Sequence, residues 1–229
     1  VAQAYARPVG YDLVVFDCDG VLVDSEILVA DVEAALLSEA GYELAAEDIL
    51  ERFVGLSYPT MLASLGAETG RPVPEVLGRR VRQAALDRLA RDLKPVPGID
   101  ELLDGLSGPR CVASSSDLDR ITLSLAVSGL ARHFTPEVVF SAQMVERPKP
   151  APDLFQLAAS AMGVDAGRCV VIEDSPYGVE GAVRAGMTAV GLVAGGHAGP
   201  GLADRLVSAG ATVVFDTAAD LGRYLSALA

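Results

Sequence analysis

Asp17, Asp19, Asp24 and Glu26 crowd the stretch FDCDGVLVDSE, directly after the apolar run LVV. Two carboxylates two residues apart repel each other, which favours a bound cation or a proton retained on one of them. Either state is chemically useful, because one carboxylate can attack an electrophile while the other moves a proton. Gly20 permits a tight turn behind the pair. A plain turn or helix cap would use the same residues, since Asp-Gly is a turn signal and Asp caps helices. A second pair, Glu173 and Asp174, ends the apolar run CVVI. Acids at a helix start, ahead of Pro176, are the bland reading of that pair. Two strand ends each carrying carboxylates nonetheless supply the hard oxygen ligands that Mg²⁺ takes. Neither His133 nor His197 stands at useful spacing from another ligand type, which disfavours zinc and makes both surface or loop residues.

Two further stretches carry polar groups suited to an anion. Ser114, Ser115 and Ser116 follow the run CVA, where a hydroxyl and successive backbone amides could cradle a phosphoryl group. Capping of the next helix by Ser116 or Asp117 is the alternative use. Lys149 is one of two lysines in the chain and stands between Pro148 and Pro150, which restrict the backbone on both sides of the cation. Such presentation suits a charge that faces a carboxylate cluster and an anion; a solvated loop lysine is the alternative. The chain has no GxxxxGK[ST] phosphate loop, no GxGxxG after a strand and no GxSxG nucleophile elbow.

The elements that must position these residues follow from apolar periodicity. Runs at 11–16, 110–114, 137–141, 168–173, 187–193 and 211–215 are continuous rather than alternating, as in strands covered on both faces. Helical segments at 118–130, 152–162 and 177–186 lie between them, so the pattern predicts an α/β fold with a parallel sheet. About ninety residues separate the first two strands, where a crossover needs about a dozen. Helical patterns at 26–42 and 73–93, punctuated by Gly55 and Pro59-Thr60, predict a mainly helical cap over 26–92 inserted into a Rossmann-like core of residues 10–25 and 93–229. The glycine-rich stretch 191–204 reads as a flexible connection before the last helix.

Whole-chain properties exclude some functions. With 31 acidic and 18 basic residues, the net charge of -13 and the scattered arginines disfavour nucleic acid and anionic membranes as partners. No apolar stretch approaches a membrane span, and the first ten residues lack a signal-peptide core. Cys18, Cys111 and Cys169 have no paired spacing and read as small buried residues. A cytoplasmic setting and a monomer are the default expectations.

Taken together and in order, FDCDGVLVDSE, VASSS, PKPAPD and VIEDS resemble the haloacid dehalogenase-like phosphohydrolase superfamily, in its subgroup with a helical cap after the first strand. The resemblance implies a parallel sheet with the first strand central. It implies Asp17 as nucleophile and Asp19 as general acid/base. Ser114, with Ser115 beside it, would bind phosphate, and Lys149 would bridge phosphate to nucleophile. Mg²⁺ would be held by Asp17, Asp174 and the Asp19 backbone carbonyl, with Glu173 a ligand or just behind one. Haloacid dehalogenases lack the second aspartate, which is present here as Asp19, and residues 26–92 contain no lysine for the Schiff base of phosphonoacetaldehyde hydrolases. The β-phosphoglucomutase branch is similar throughout, but Val29 stands where it carries a cap histidine and Tyr58 where it carries an arginine. The implied activity is a Mg²⁺-dependent phosphatase acting on a small phosphorylated metabolite, a sugar or sugar-acid phosphate, with Arg52 and Tyr58 as cap contacts. A sugar-phosphate mutase and a non-catalytic phosphometabolite-binding protein are the alternatives.

Overall fold

The structure, a computed structural model, describes residues 10–228. The amino-terminal stretch read above for a leader lies almost wholly outside the described residues. Six strands, β1 (Leu13–Phe16), β2 (Arg110–Ser114), β3 (Val139–Ser141), β4 (Cys169–Glu173), β5 (Thr188–Leu192) and β6 (Val213–Phe215), form one parallel sheet in the order β3-β2-β1-β4-β5-β6. All six fall on the runs expected from the sequence, β2 in full and the others trimmed at one or both ends. Every residue of β1 and β4 is buried, which is why those runs read as continuous apolar segments rather than alternating ones.

Alternation is present all the same, but it sorts residues between two cores. Val14 and Phe16 of β1 join Val112, Val170 and Ile172 on one face, against Ile99 and Leu103 of α5 (Ile99–Gly105), Ile121 of α6 (Leu118–Val127) and Leu221 of α10 (Ala218–Leu228). Leu13 and Val15 point the other way with Cys111, Ala113 and Val171. There they meet Phe155 of α7 (Asp153–Met162), Val179 of α8 (Pro176–Arg184) and Leu206 of α9 (Leu202–Ala209). This is the period-two rule of a strand applied to a sheet sandwiched by helices.

Between β1 and β2 the chain leaves the sheet to build the helical cap. Its four helices are α1 (Glu26–Glu39), α2 (Ala46–Arg52), α3 (Tyr58–Thr69) and α4 (Glu75–Asp92). The middle pair was legible only as punctuation. Pro59 lies in the first turn of α3, where its missing N–H costs nothing, and the Ser57 hydroxyl accepts from the Thr60 N–H. The cap has its own apolar cluster, including Leu37, Tyr42, Phe53, Met61 and Val81. Val29 of α1 and Ala85 and Leu89 of α4 instead join the sheet's core. The two chain crossings are tied together, with the Asp24 N–H on Lys94 O (2.9 Å) and the Val96 N–H on Leu22 O (3.0 Å).

The stretch 191–204 corrects the sequence reading. Gly191 and Leu192 are the end of β5, and α9 begins at Leu202, so the true loop is shorter and is packed on the site. Among the described residues, no helix is long and apolar enough to cross a membrane. The core assignment makes a quantitative prediction. Leu103→Ala, at a wholly buried position, should cost about 2–5 kcal/mol in urea unfolding. Val76→Ala, at a position 70% exposed, should stay within about 0.5 kcal/mol of the parent protein.

Candidate active site

Strand register brings the acids together. Phe16 pairs with Ile172 and the Asp17 N–H donates to Ile172 O (3.0 Å), so Asp17 emerges beside Glu173 and Asp174. Strand order reverses between β1 and β4, the position where open α/β sheets hold ligands beyond their carboxyl ends. Gly20 closes the turn with φ of 77°, and a Cβ there would lie 1.7 Å from Asp174 Oδ2. The residue is therefore required both by its left-handed backbone and by the close approach of the second acidic pair.

Lys149 is buried at the centre of this cluster. Its ammonium donates to Asp17 Oδ1 (2.6 Å), Glu173 Oε1 (2.6 Å) and Ala113 O (2.9 Å). Burial pulls its pKa down, but Asp17 and Glu173 more than offset that and hold it above its ordinary value. Glu173 has both oxygens engaged, since Oε2 accepts from the Ser175 N–H (3.2 Å) and hydroxyl (3.0 Å). Asp17 is raised well above the usual carboxylate range by burial and by the neighbouring acids, against the pull of Lys149.

Asp17, Glu173 and Asp174 can each present an oxygen within 4.8 Å of the others. Three buried carboxylates face one ammonium there, and Asp174 Oδ2 has no hydrogen-bond partner. An all-oxygen, buried, negatively charged set with an orphaned carboxylate oxygen fits a hard divalent cation, and Mg²⁺ is the cofactor. With both Glu173 oxygens engaged, Asp17 and Asp174 are the side chains best placed to hold it.

Asp19 occupies a different environment. Oδ1 accepts from the Ser25 hydroxyl (2.6 Å) and Arg120 Nη2 (2.6 Å), and Oδ2 from the Ser116 hydroxyl (2.6 Å). Burial pushes its pKa up, but Arg120 and the Ser116 and Ser25 hydroxyls more than compensate, leaving it below its ordinary value. Two acids separated by one residue thus shift in opposite directions. Sequence reasoning missed Arg120 and Ser25, and read Ser116 as part of a phosphate cradle or as a helix cap rather than as a donor to Asp19. Ser25 precedes α1 but gives its hydroxyl to Asp19 instead of capping the helix, whereas Asp117 caps α6 by accepting from the Arg120 N–H (2.9 Å).

The remaining sequence candidates divide. Ser114 is buried on the floor of a cavity between sheet and cap, 3.5 Å from Asp19 Oδ2. Ser115 borders the same cavity, but its hydroxyl donates to the Gly55 carbonyl of the cap (2.8 Å). Tyr58 lines the cavity and donates to Gly78 O (3.0 Å). Arg52 is not brought there; it pairs with Glu68 on the outside of the cap. The cavity instead receives Glu26, Glu33, Arg82 and Arg120. Arg82 of α4 reaches across to Asp117 with two 2.8 Å hydrogen bonds, tying cap to core. Of the two histidines read as surface or loop residues, His197 does lie in a loop, but both side chains are turned inward. The side chain of His133 is 5% exposed beside Asp100, and that of His197 is 3% exposed beside Asp174.

Comparisons with known proteins agree with this geometry. The signature of the family described as haloacid dehalogenase-like hydrolase matches residues 14–192. The 6-phosphogluconate phosphatase of Escherichia coli (strain K12) is 30% identical over 190 residues, covering 82% of this chain and 86% of the relative. A haloacid dehalogenase-like protein of unknown function from Agrobacterium tumefaciens is 40% identical, with a TM-score of 0.82 over 96% of this chain and 99% of its own. A hydrolase of the same family from Deinococcus radiodurans R1, solved with bound phosphate and sodium, is 32% identical with a TM-score of 0.76. That match covers 97% of each chain.

Glu33 gives a pH-dependent prediction. Burial raises its carboxyl from 4.5 to about 7, against the pull of Arg120. The folded state therefore binds the extra proton between those values, and Glu33 makes stability fall as pH rises through that window. Glu33→Gln should gain on the parent protein by on the order of 2–3 kcal/mol between about pH 5 and about pH 8. Urea unfolding at the two pH values measures the difference, and a constant difference would contradict the assignment.

Proposed function

Because the chain belongs to the haloacid dehalogenase-like hydrolase family and is a Mg²⁺-dependent phosphoric monoester hydrolase, we propose that it cleaves a small sugar or sugar-acid phosphate through an aspartyl-phosphate on Asp17. The observation that carries this reading is the 2.6 Å contact between Lys149 and Asp17, the member of the buried carboxylate cluster that borders the capped cavity. Residues 10–25 and 93–229 act as the catalytic core and 26–92 as the cap, hinged where Asp24 and Lys94 pair.

In the proposed reaction, the Asp17 oxygen not bonded to Lys149 attacks phosphorus in line with the ester oxygen. The phosphorus–ester oxygen bond breaks as the aspartyl-phosphate forms, and Asp19 protonates the departing alkoxide. Asp19 then takes a proton from water, which attacks phosphorus, freeing phosphate and Asp17. When bound, Mg²⁺ supplies positive charge against the phosphoryl oxygens. Lys149 supplies a second positive charge and Ser114 a hydroxyl donor, the electrostatic support phosphoryl transfer requires. Glu173 holds Lys149 in place. With Arg120 and two hydroxyls on it, Asp19 is poised as the base. Its acid step needs Asp19 to enter the cycle carrying a proton. Arg120 must therefore give up Oδ1 as substrate binds, because that ion pair holds the carboxyl ionised. The proton taken from water in the second step then restores the protonated carboxyl.

Substrate class rests on the cavity and on a relative. Glu26, Glu33 and Arg120 offer acceptors and a donor for hydroxyl groups, beside apolar Val29, Ile49 and Met61. The Escherichia coli relative is a 6-phosphogluconate phosphatase. Hydrolysis is favoured over a mutase because Val29 and Tyr58 provide no cation for a distal phosphate, and Arg82 is already doubly bonded to Asp117.

Asp17→Asn should lower Mg²⁺-dependent phosphate release from p-nitrophenyl phosphate by at least about a thousandfold. Undiminished release would remove Asp17 from the nucleophile's role. In a panel of phosphorylated metabolites, sugar and sugar-acid phosphates should give the highest kcat/KM. A clear preference for nucleotides or phosphoproteins would overturn the substrate class.

A further inference from the structure

The loop between β5 and α9 takes no part in the chemistry above, yet it is built against the metal site. It leaves the sheet with the Val193 N–H on Phe215 O (2.9 Å), and the Gly196 N–H donates to Asp24 Oδ1 (2.9 Å) at the cap crossing. These two anchors press His197 inward. Its Nε2 lies 3.0 Å from Asp174 Oδ2, with the two side chains 3% and 2% exposed. The contact has ion-pair distance but not hydrogen-bond angles, so Oδ2 and both ring nitrogens are buried without hydrogen-bond partners. A buried polar ring with both nitrogens unpaired is costly and rare.

Backbone crowding shows how closely the ring is fitted. A Cβ on Gly195 would lie 2.8 Å from His197 Nδ1 and 3.1 Å from Gly20 O. One on Gly20 would lie 2.8 Å from His197 Cε1 as well as against Asp174. The loops after β1, β4 and β5 thus converge on one imidazole, and glycines leave the room for it. The oxygens of Asp17, Glu173 and Asp174 form the compact ligand group, and His197 does not belong to it.

We propose that His197 is a positioning residue for the divalent-ion site: its Nε2 edge holds the Asp174 carboxylate so that this side chain offers an oxygen to an ion shared with Asp17. The inference rests on the reading of Asp17 and Asp174 as the carboxylates that hold the ion. Partners of ligating carboxylates fix their orientation, and removing such a partner typically weakens metal affinity by about 10–100-fold. A purely space-filling ring would not affect affinity once its volume is replaced.

The test uses Mn²⁺ as the probe and electron paramagnetic resonance of free and bound ion as the readout, without reference to turnover. His197→Leu, which keeps apolar bulk, should raise the Mn²⁺ Kd at least about tenfold. His197→Gln, which restores an N–H donor, should return it to within about threefold of the parent protein. Unchanged affinity in His197→Leu, or equal losses in both variants, would overturn the proposal. Nitrogen hyperfine coupling from the imidazole to Mn²⁺ in the parent protein would also overturn it, by making His197 a direct ligand. This last measurement can still overturn the proposal if His197→Leu fails to fold. A parent protein that binds no Mn²⁺ would remove the metal-site reading and this inference together, whereas tight binding indifferent to His197 would remove only the inference.

Discussion

Buried negative charge, concentrated where β1 and β4 end, is the constraint on which the rest of the molecule depends. Asp17, Glu173 and Asp174 converge away from water, and Lys149 is the ammonium set among them. Desolvated like charges repel strongly in a low-dielectric interior, so such a cluster persists only with added positive charge or retained protons. Lys149 answers part of that demand with three acceptors around one ammonium, and Glu173 keeps both its oxygens occupied. The remaining demand is for Mg²⁺, and it is felt at Asp174 Oδ2, which has no hydrogen-bond partner and only the His197 ring edge 3.0 Å away.

The same constraint separates the roles of two aspartates that are nearly adjacent in the chain. Asp17 shares its environment with other acids and is driven upward in pKa; Asp19 turns into a nest of donors from Ser25, Ser116 and Arg120 and is driven down. In the proposed reaction, environment rather than residue type distinguishes the nucleophile from the proton carrier. Those donors come from the segment that leads into the cap and from the segment after β2, so the core supplies all three partners of Asp19. Arg82 on Asp117 and Ser115 on Gly55 hold cap and core together directly above it.

Much of the fold was legible because burial on two faces leaves an unmistakable trace. LVVF and CVVI are apolar without a break, and they became the central strands. Helices α1 and α4 were recognisable from their length and apolar faces. The short α2 and α3 were not, because Gly55 and Pro59 look like loop signals while in fact standing between helices and in the first turn of one. Glycines misled in the same way after β5. Their density suggests looseness, but Gly195 is small because an imidazole and a neighbouring carbonyl lie against it.

Alone, the sequence determined the class of chemistry: acids, serines and a lysine at successive strand ends limit the possibilities, since strand periodicity and turn signals are local properties. Only tertiary structure decided which groups surround each acid. Arg120 stands about a hundred residues from Asp19, and His197 lies in a later loop than Asp174, so no spacing rule connects either pair. Arg52 illustrates the converse, a cation near a suggestive motif that folding turns outward to Glu68. Contacts between distant segments depend on strand register and on the packing of helices over the sheet, and these are fixed only when the whole chain buries its apolar surface at once.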